Sequence, residues 1–198
     1  MGPTATGKSA AALHIARYFP IEIVSVDSAQ IYRGMDIGTA KPDLDEQRLV
    51  PHHFIDICDP AQAYSVGQFC EDVCQCIQDI QSRGCIPLLV GGTMMYFSAL
   101  QNGISDLPQS DETVRRVITQ QASQHGWPAM HQQLAAIDTV MAARIHPNDS
   151  QRIQRALELY QLTGKLPSSL LSKPSEPMLR GRFINIGLIP SDRSSLHQ

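Results

Sequence analysis

The 198 residues are 42% hydrophobic and 18% charged, with a formal net charge of −3. That length allows one domain of ordinary size or one core with a small insert, and the composition is that of a globular chain, not a disordered one. No apolar run of about 18 residues is present to span a membrane, and no basic n-region with an apolar stretch marks a secretory signal. Five cysteines are an odd number, and Cys70, Cys74 and Cys76 crowd one helical segment without a His or fourth Cys at ligand spacing. Reduced thiols in a cytoplasmic protein are therefore expected. The charge is unevenly spread. Residues 51–110 carry six acids against one base, whereas residues 144–182 carry seven bases against three acids. A polyanion would sit better on the second region, although a mixed solvated face accounts for it equally well.

In chain order, the first feature is chemical. Gly2, Pro3, Thr4, Ala5, Thr6, Gly7, Lys8 and Ser9 match G-x-x-x-x-G-K-[ST]. Glycines let a loop close around an anion so that backbone N–H groups point inward. Lys8 adds a point charge, Ser9 can hold a Mg²⁺ bridging two phosphates, and a following helix adds its positive end. The pattern predicts that a di- or triphosphate is held, without saying which. A helix is predicted over residues 10–18 and a β-branched strand over 21–26, ending at Asp27. A P-loop ordinarily hangs from a buried strand, and only Met1 precedes Gly2. Functional groups of an open parallel sheet gather beyond its carboxyl ends, which puts Asp27 beside the loop.

Residues 28–64 read mostly as loop, which in a compact domain is functional or mobile. The adjacent His52 and His53 point opposite ways on an extended chain, so they do not ligate a metal jointly; loop packing near Lys and Asp residues is expected. Ser65 and Gln68 have capping-box spacing, and Val66, Phe69, Val73, Ile77 and Ile80 form a helical stripe that Gly84 ends. Residues 85–90 read as a buried strand, closed by Gly91, Gly92 and Thr93. Beyond Ser110 strand signals stop. Helices are predicted over residues 111–124, 128–137 and 149–162, the last with Gly164 as its stop. Residues 165–182 read as a linker and 183–189 as a strand that rejoins the sheet. The predicted organisation is an α/β core at 1–109 and 176–198, with a helical insert at 110–175.

Several ordered blocks resemble one family, the tRNA dimethylallyltransferases (tRNA isopentenyltransferases). They are residues 2–9, residues 25–42 (from Ser25-Val26-Asp27 to Ala40-Lys41-Pro42), His52-His53 with Asp56, Tyr64-Ser65, Val90-Gly91-Gly92-Thr93, and residues 148–158. The loop alone is unspecific; the second block together with Gln151-Arg152-x-x-Arg155 is highly specific. The resemblance implies a P-loop NTPase-like parallel sheet with an all-helical insert, lacking the family's first strand and C-terminal part. It implies that a dimethylallyl group moves from dimethylallyl diphosphate to N6 of the adenine at position 37, beside the anticodon, in tRNAs that read codons starting with U.

The same resemblance implies roles. Residues 2–9 hold the diphosphate leaving group, with Lys8 and a Mg²⁺ at Ser9 stabilising its charge. Asp27 takes the proton from the adenine amine; a Mg²⁺ ligand or a structural cap is the alternative. Thr93 contacts either substrate, or is simply a helix N-cap. Asp27, Ser28, Ala29, Gln30 and Thr93 line the base, and Arg115 (or equally Arg116 beside it) with Gln151, Arg152, Ile153, Gln154 and Arg155 contacts tRNA, the arginines being otherwise surface ion pairs. Tyr32 and Tyr64 stack on a base or pack, and Trp127 belongs to the insert's core. A monomer without membrane contact is expected. Because family members extend past both ends, the parent protein is expected to be active and these residues alone to turn over little. Competing readings are prenyl transfer to free AMP, a small-molecule P-loop kinase, and a degenerate P-loop scaffold without activity.

Overall fold

The structure is a computed structural model that describes residues 1–105, 107–172, 176–179 and 181–189. The chain divides into two compact units, residues 1–104 with 176–198, and residues 105–175.

In the first unit, α1 (Lys8–Ile15) leads to β1 (Ile21–Val26), then α2 (Leu44–Leu49), β2 (His52–His53), α3 (Val66–Ser82), β3 (Ile86–Gly91) and α4 (Met94–Asn102). The strands form a parallel sheet in the order β2-β1-β3. Every residue of β1 is buried, because it is flanked by a strand on both edges and covered on both faces. Side chains alternate along a strand, so Val24 and Val26 face Phe69, Val73, Ile77 and Ile80 of α3 and Tyr96, Phe97 and Leu100 of α4. Ile21 and Ile23 face Ala12 of α1 and Val50. Phe69 stacks on Tyr96 at 4.1 Å between ring centroids. Backbones meet closely at the end of β3: a Cβ on Gly91 would collide with the Val26 carbonyl.

The second unit packs α5 (Glu112–His125), α6 (Trp127–Ile137), α7 (Thr139–Ala142), α8 (Ser150–Thr163) and α9 (Pro167–Leu171). Its core gathers Ile118, Ala122, Met130, Leu134, Ile153 and Leu157, with Trp127 against it. Asp111, Asp138 and Asp149 each accept a hydrogen bond from the backbone N–H three residues on, which fixes the starts of α5, α7 and α8. Gly164, at φ 65°, ends α8.

Some predicted elements differ. The 28–64 segment contains α2, whose Asp43 and Glu46 form a reciprocal capping box, and β2. Ser65 does cap Gln68, but the Gln68 side chain bonds Asp72 instead of reaching back. β3 is only half-buried because no strand flanks its outer edge among the described residues. Residues 165–172 are not plain linker, since Pro167 opens α9. Residues 183–189 form no strand: the backbone partner they find is Met1, which donates its ammonium to Ile186 O and accepts from Leu188 N, both at 2.9 Å. His53 and His52 lie in β2, not in a loop, and His53 lines one cavity with Asp72 and Asp79. Its Nε2 lies 2.6 Å from Glu22 Oε2, while His52 turns to the Val50 carbonyl.

Candidate functional site

The loop ahead of α1 is tightly curled. Ala5 has φ 65° and Gly7 φ 76°, two left-handed residues that curl the backbone and aim its N–H groups to one side. Thr6 Oγ1 donates to the Pro3 carbonyl at 2.8 Å, and Lys8 Nζ donates to the same carbonyl, tying the loop to itself. Burial pushes the Lys8 ammonium below its ordinary pKa, and the facing charge of Asp27 works against that shift. Ser9 is exposed, and its hydroxyl has no hydrogen-bond partner among the described residues.

Beside the loop stand the carboxyl ends of β1 and β3. A cavity of about 250 Å³ opens there, walled by Thr4 to Ser9, by Asp27, Gln30 and Gly92, and by Thr39, Ala40 and Pro42 of the long loop. Asp27 Oδ1 accepts from the N–H groups of Ala29 (2.9 Å) and Gln30 (3.4 Å). Oδ2 has no such bond among the described residues, so the half-exposed carboxylate caps a turn with one oxygen and leaves the other unbonded. Thr93 stands at the head of α4 but does not cap it with its side chain. Its Oγ1 accepts from Ser28 N at 3.1 Å and lies 3.5 Å from Ser28 Oγ, and its N–H donates to Val26 O. This cross-strand tie brings Asp27, Ser28 and Thr93 together.

Gln30 is engaged. Its Oε1 accepts from Ser25 Oγ at 2.8 Å, and its Nε2 donates to the carbonyls of Thr39 (3.2 Å) and Ala40 (2.8 Å). Sequence reasoning missed Lys41, whose buried ammonium donates to Tyr32 O (2.9 Å), Asp36 Oδ1 (2.7 Å) and Asp56 Oδ1 (2.6 Å). Tyr64 donates to Asp72 at 2.6 Å, and Tyr32 packs on the first unit's core.

The RNA candidates of the second unit fall into two sets. Arg115 Nε (3.2 Å), Arg155 Nη1 (2.8 Å) and the Asp111 N–H (2.8 Å) converge on Glu158, which is fully buried. Burial works to raise the Glu158 pKa, but the hydrogen bonds from Arg155 and the Asp111 N–H, with the Arg115 charge, hold it below its ordinary value. Arg155 also donates to the Pro108 carbonyl, and Gln154 to Arg115 O and Thr119 Oγ1. These side chains knit α5 to α8. Ile153, expected to contact tRNA, is fully buried in the helical core, so its side chain offers RNA no surface. Gln151 and Arg152 are exposed; Arg152 pairs with Asp149 at 3.0 Å.

An anion cradle leading into a helix, at the carboxyl ends of parallel strands, defines a P-loop NTPase-like α/β protein. The sequence model of one family, described as IPP transferase, matches residues 30–198. The chain is 56% identical to a tRNA dimethylallyltransferase of Paraburkholderia phymatum and 54% identical to one of Nitrosospira multiformis. Each match covers 100% of the chain and 63% and 61% of those relatives. The chain thus spans under two thirds of their length. A full-length tRNA isopentenylpyrophosphate transferase from Bacillus halodurans superposes with TM-score 0.52 at 43% identity, over 82% of this chain and 54% of that one. A eukaryotic dimethylallyltransferase described as acting on tRNA gives TM-score 0.70 at 32% identity, over 87% and 43%. The chain belongs to the IPP transferase family. Among the described residues no helix is long and apolar enough to cross a membrane.

Proposed function

We propose that the protein containing this chain transfers a dimethylallyl group from dimethylallyl diphosphate to N6 of adenine 37 in tRNAs that read codons starting with U. The observation that carries the reading is the single cavity shared by the anion loop, Lys8 and the Asp27 carboxylate. The loop N–H groups and Lys8 hold the diphosphate and stabilise the charge that grows on it as its C–O bond to the prenyl group breaks. The exocyclic amine forms the new N–C bond while Asp27 Oδ2 takes its proton; an amine with a delocalised lone pair needs such a base. Thr93 and Ser28 hold the two strand ends, and hence Asp27, against the reacting atoms.

A metal fits as a shared ligand. Among the described residues no three His, Cys, Asp or Glu side chains form a metal cluster. Mg²⁺ commonly takes only one or two protein oxygens and completes its shell with phosphate and water. The free Ser9 hydroxyl beside the cradle suits that role, and a Mg²⁺ there would neutralise charge on the departing diphosphate.

Among the described residues the side chains that line the cavity include Lys8 and Asp27 and no arginine. Exposed Gln151 and Arg152, the latter paired with Asp149 at its own helix start, face solvent where RNA phosphate could be met, as do exposed Arg116, Arg144 and Lys165. The test supplies labelled dimethylallyl diphosphate and Mg²⁺ to the full-length protein with an anticodon stem-loop, AMP or neither. Label is expected in the stem-loop. Transfer to AMP alone, or phosphate release from ATP without transfer, overturns the substrate assignment.

A further inference from the structure

We infer that Lys41 is a positioning residue for the transfer step: its ammonium closes a ring of contacts that fixes the cavity wall and, through Gln30, the Asp27 carboxylate. The inference rests on the prenyl-transfer reading above and assigns that site a residue outside the cavity lining.

The ring can be followed bond by bond. Lys41 Nζ donates to Asp56 Oδ1 at 2.6 Å. The Asp56 N–H donates to the Gln30 carbonyl at 3.2 Å. Gln30 Nε2 donates to the carbonyl of Ala40, the residue before Lys41, at 2.8 Å, and the circuit is closed. From Gln30 two further bonds lead to the chemistry: its N–H reaches Asp27 Oδ1, and its Oε1 is held by Ser25 on β1. The ring therefore sets where Thr39 and Ala40 stand as cavity wall and which oxygen of Asp27 stays free.

Arg33 also braces the ring, donating from Nε to the Asp56 carbonyl at 2.9 Å and from Nη2 to the Ile57 carbonyl at 3.2 Å, but among the described residues the Asp56 carboxylate has Lys41 as its one donor. Ala40 and Asp56 sit at φ 49° and 55°, left-handed conformations that persist in non-glycine residues when their surroundings over-determine them. Lys41 is the cation that balances Asp36 and Asp56, and only 5% of its side chain is exposed, while those carboxylates are 67% and 44% exposed. Removing the ammonium leaves two like charges facing one another and the Tyr32 carbonyl without its partner. The P-loop is not part of this ring, because its ties run to Pro3. Loss of Lys41 should thus disturb the proton-accepting side of the cavity and spare the anion cradle.

The experiment is single-turnover transfer by the full-length protein at saturating substrates, with Mg²⁺–pyrophosphate affinity measured separately. In Lys41→Met the rate is expected to fall about tenfold or more, since small misplacements of a reacting group cost one to two orders of magnitude. Pyrophosphate Kd is expected within about twofold of wild type, a split that a general loss of structure would not give. Because Lys41 acts through Gln30, the double variant with Gln30→Leu should be no slower than the slower single variant. If Lys41→Met does not fold, Asp56→Asn, which tolerates the same backbone, is expected to slow transfer about threefold with the same unchanged Kd. A rate within twofold of wild type in Lys41→Met (or no slowing in Asp56→Asn, should that variant carry the test), losses that multiply in the double variant, or a Kd that weakens as much as the rate overturns the inference. An Asp27→Ala control separates the two ideas: if it still transfers, the base assignment fails, whatever Lys41 does.

Discussion

Replacing Glu22 with glutamine removes one buried charge from the central strand and little volume. Its carboxylate is 8% exposed and accepts from Arg83 Nε (3.0 Å) and Nη2 (2.8 Å), with His53 Nε2 at 2.6 Å. The Arg83 hydrogen bonds outweigh the opposing effect of burial, and with the smaller contribution of His53 they bring the Glu22 pKa down from 4.5 to about 2. At about 1.4 kcal/mol per unit, that difference corresponds to about 3 kcal/mol of stability at neutral pH. The folded pKa is depressed, so this stability is fully present above pH 4.5 and is lost as pH falls through about 2. Linkage leaves less than half of it at pH 3 and little at pH 2. Glu22→Gln should therefore unfold in urea at lower concentration than wild type at pH 7, by about 3 kcal/mol on extrapolation, with the gap closing as the pH approaches 2. Circular dichroism at pH 7, 4, 3 and 2 follows it. A gap below about 0.5 kcal/mol at pH 7, or one of the same size at pH 2, refutes the reasoning.

Gly91→Ala drives a methyl group into the Val26 backbone; a loss of about 2–3 kcal/mol and a Tm lower by several degrees are expected in a thermal melt. Arg155→Ala leaves the buried Glu158 without one of its partners and should cost about 2 kcal/mol or more in urea denaturation. Arg152→Ala, exposed and paired only with Asp149, should change stability by less than about 0.5 kcal/mol while weakening anticodon stem-loop binding in a salt-dependent way. Lys8→Met should weaken pyrophosphate binding at least about tenfold by calorimetry, with the melt unchanged to within a few degrees.

Two helices legible in the sequence, α3 and α8, carry both a stripe and a cap. α3 has Phe69, Val73, Ile77 and Ile80 on one face behind Ser65, and α8 has Ile153, Ala156 and Leu157 behind Asp149. Neither signal singles out β2, whose two residues are strand only because Ile23 and Val24 pair with them. α2 buries no residue and shows no stripe, although its Asp43–Glu46 box was there to be read. The anion loop was legible because its chemistry is local to eight residues. The Lys41 ring was not, since its bonds join positions up to 26 apart in the chain and run from side chain to backbone as often as to another side chain. Glu158 misleads for the opposite reason. An acid three residues after Arg155 looks like a surface ion pair, and only packing against α5 shows that it is buried and that Arg115 and Arg155 serve it.

The most direct test of the central claim is single-turnover transfer from labelled dimethylallyl diphosphate to an anticodon stem-loop by the full-length protein and its Asp27→Ala variant. Pyrophosphate affinity is measured on both. The proposed reaction predicts a loss of at least about a hundredfold in transfer rate in the variant, with pyrophosphate affinity little changed, because it assigns the proton transfer to Asp27 and the leaving group to the loop. Undiminished transfer by Asp27→Ala, or a rate loss fully matched by lost pyrophosphate binding, would contradict the assignment of Asp27 as the proton acceptor.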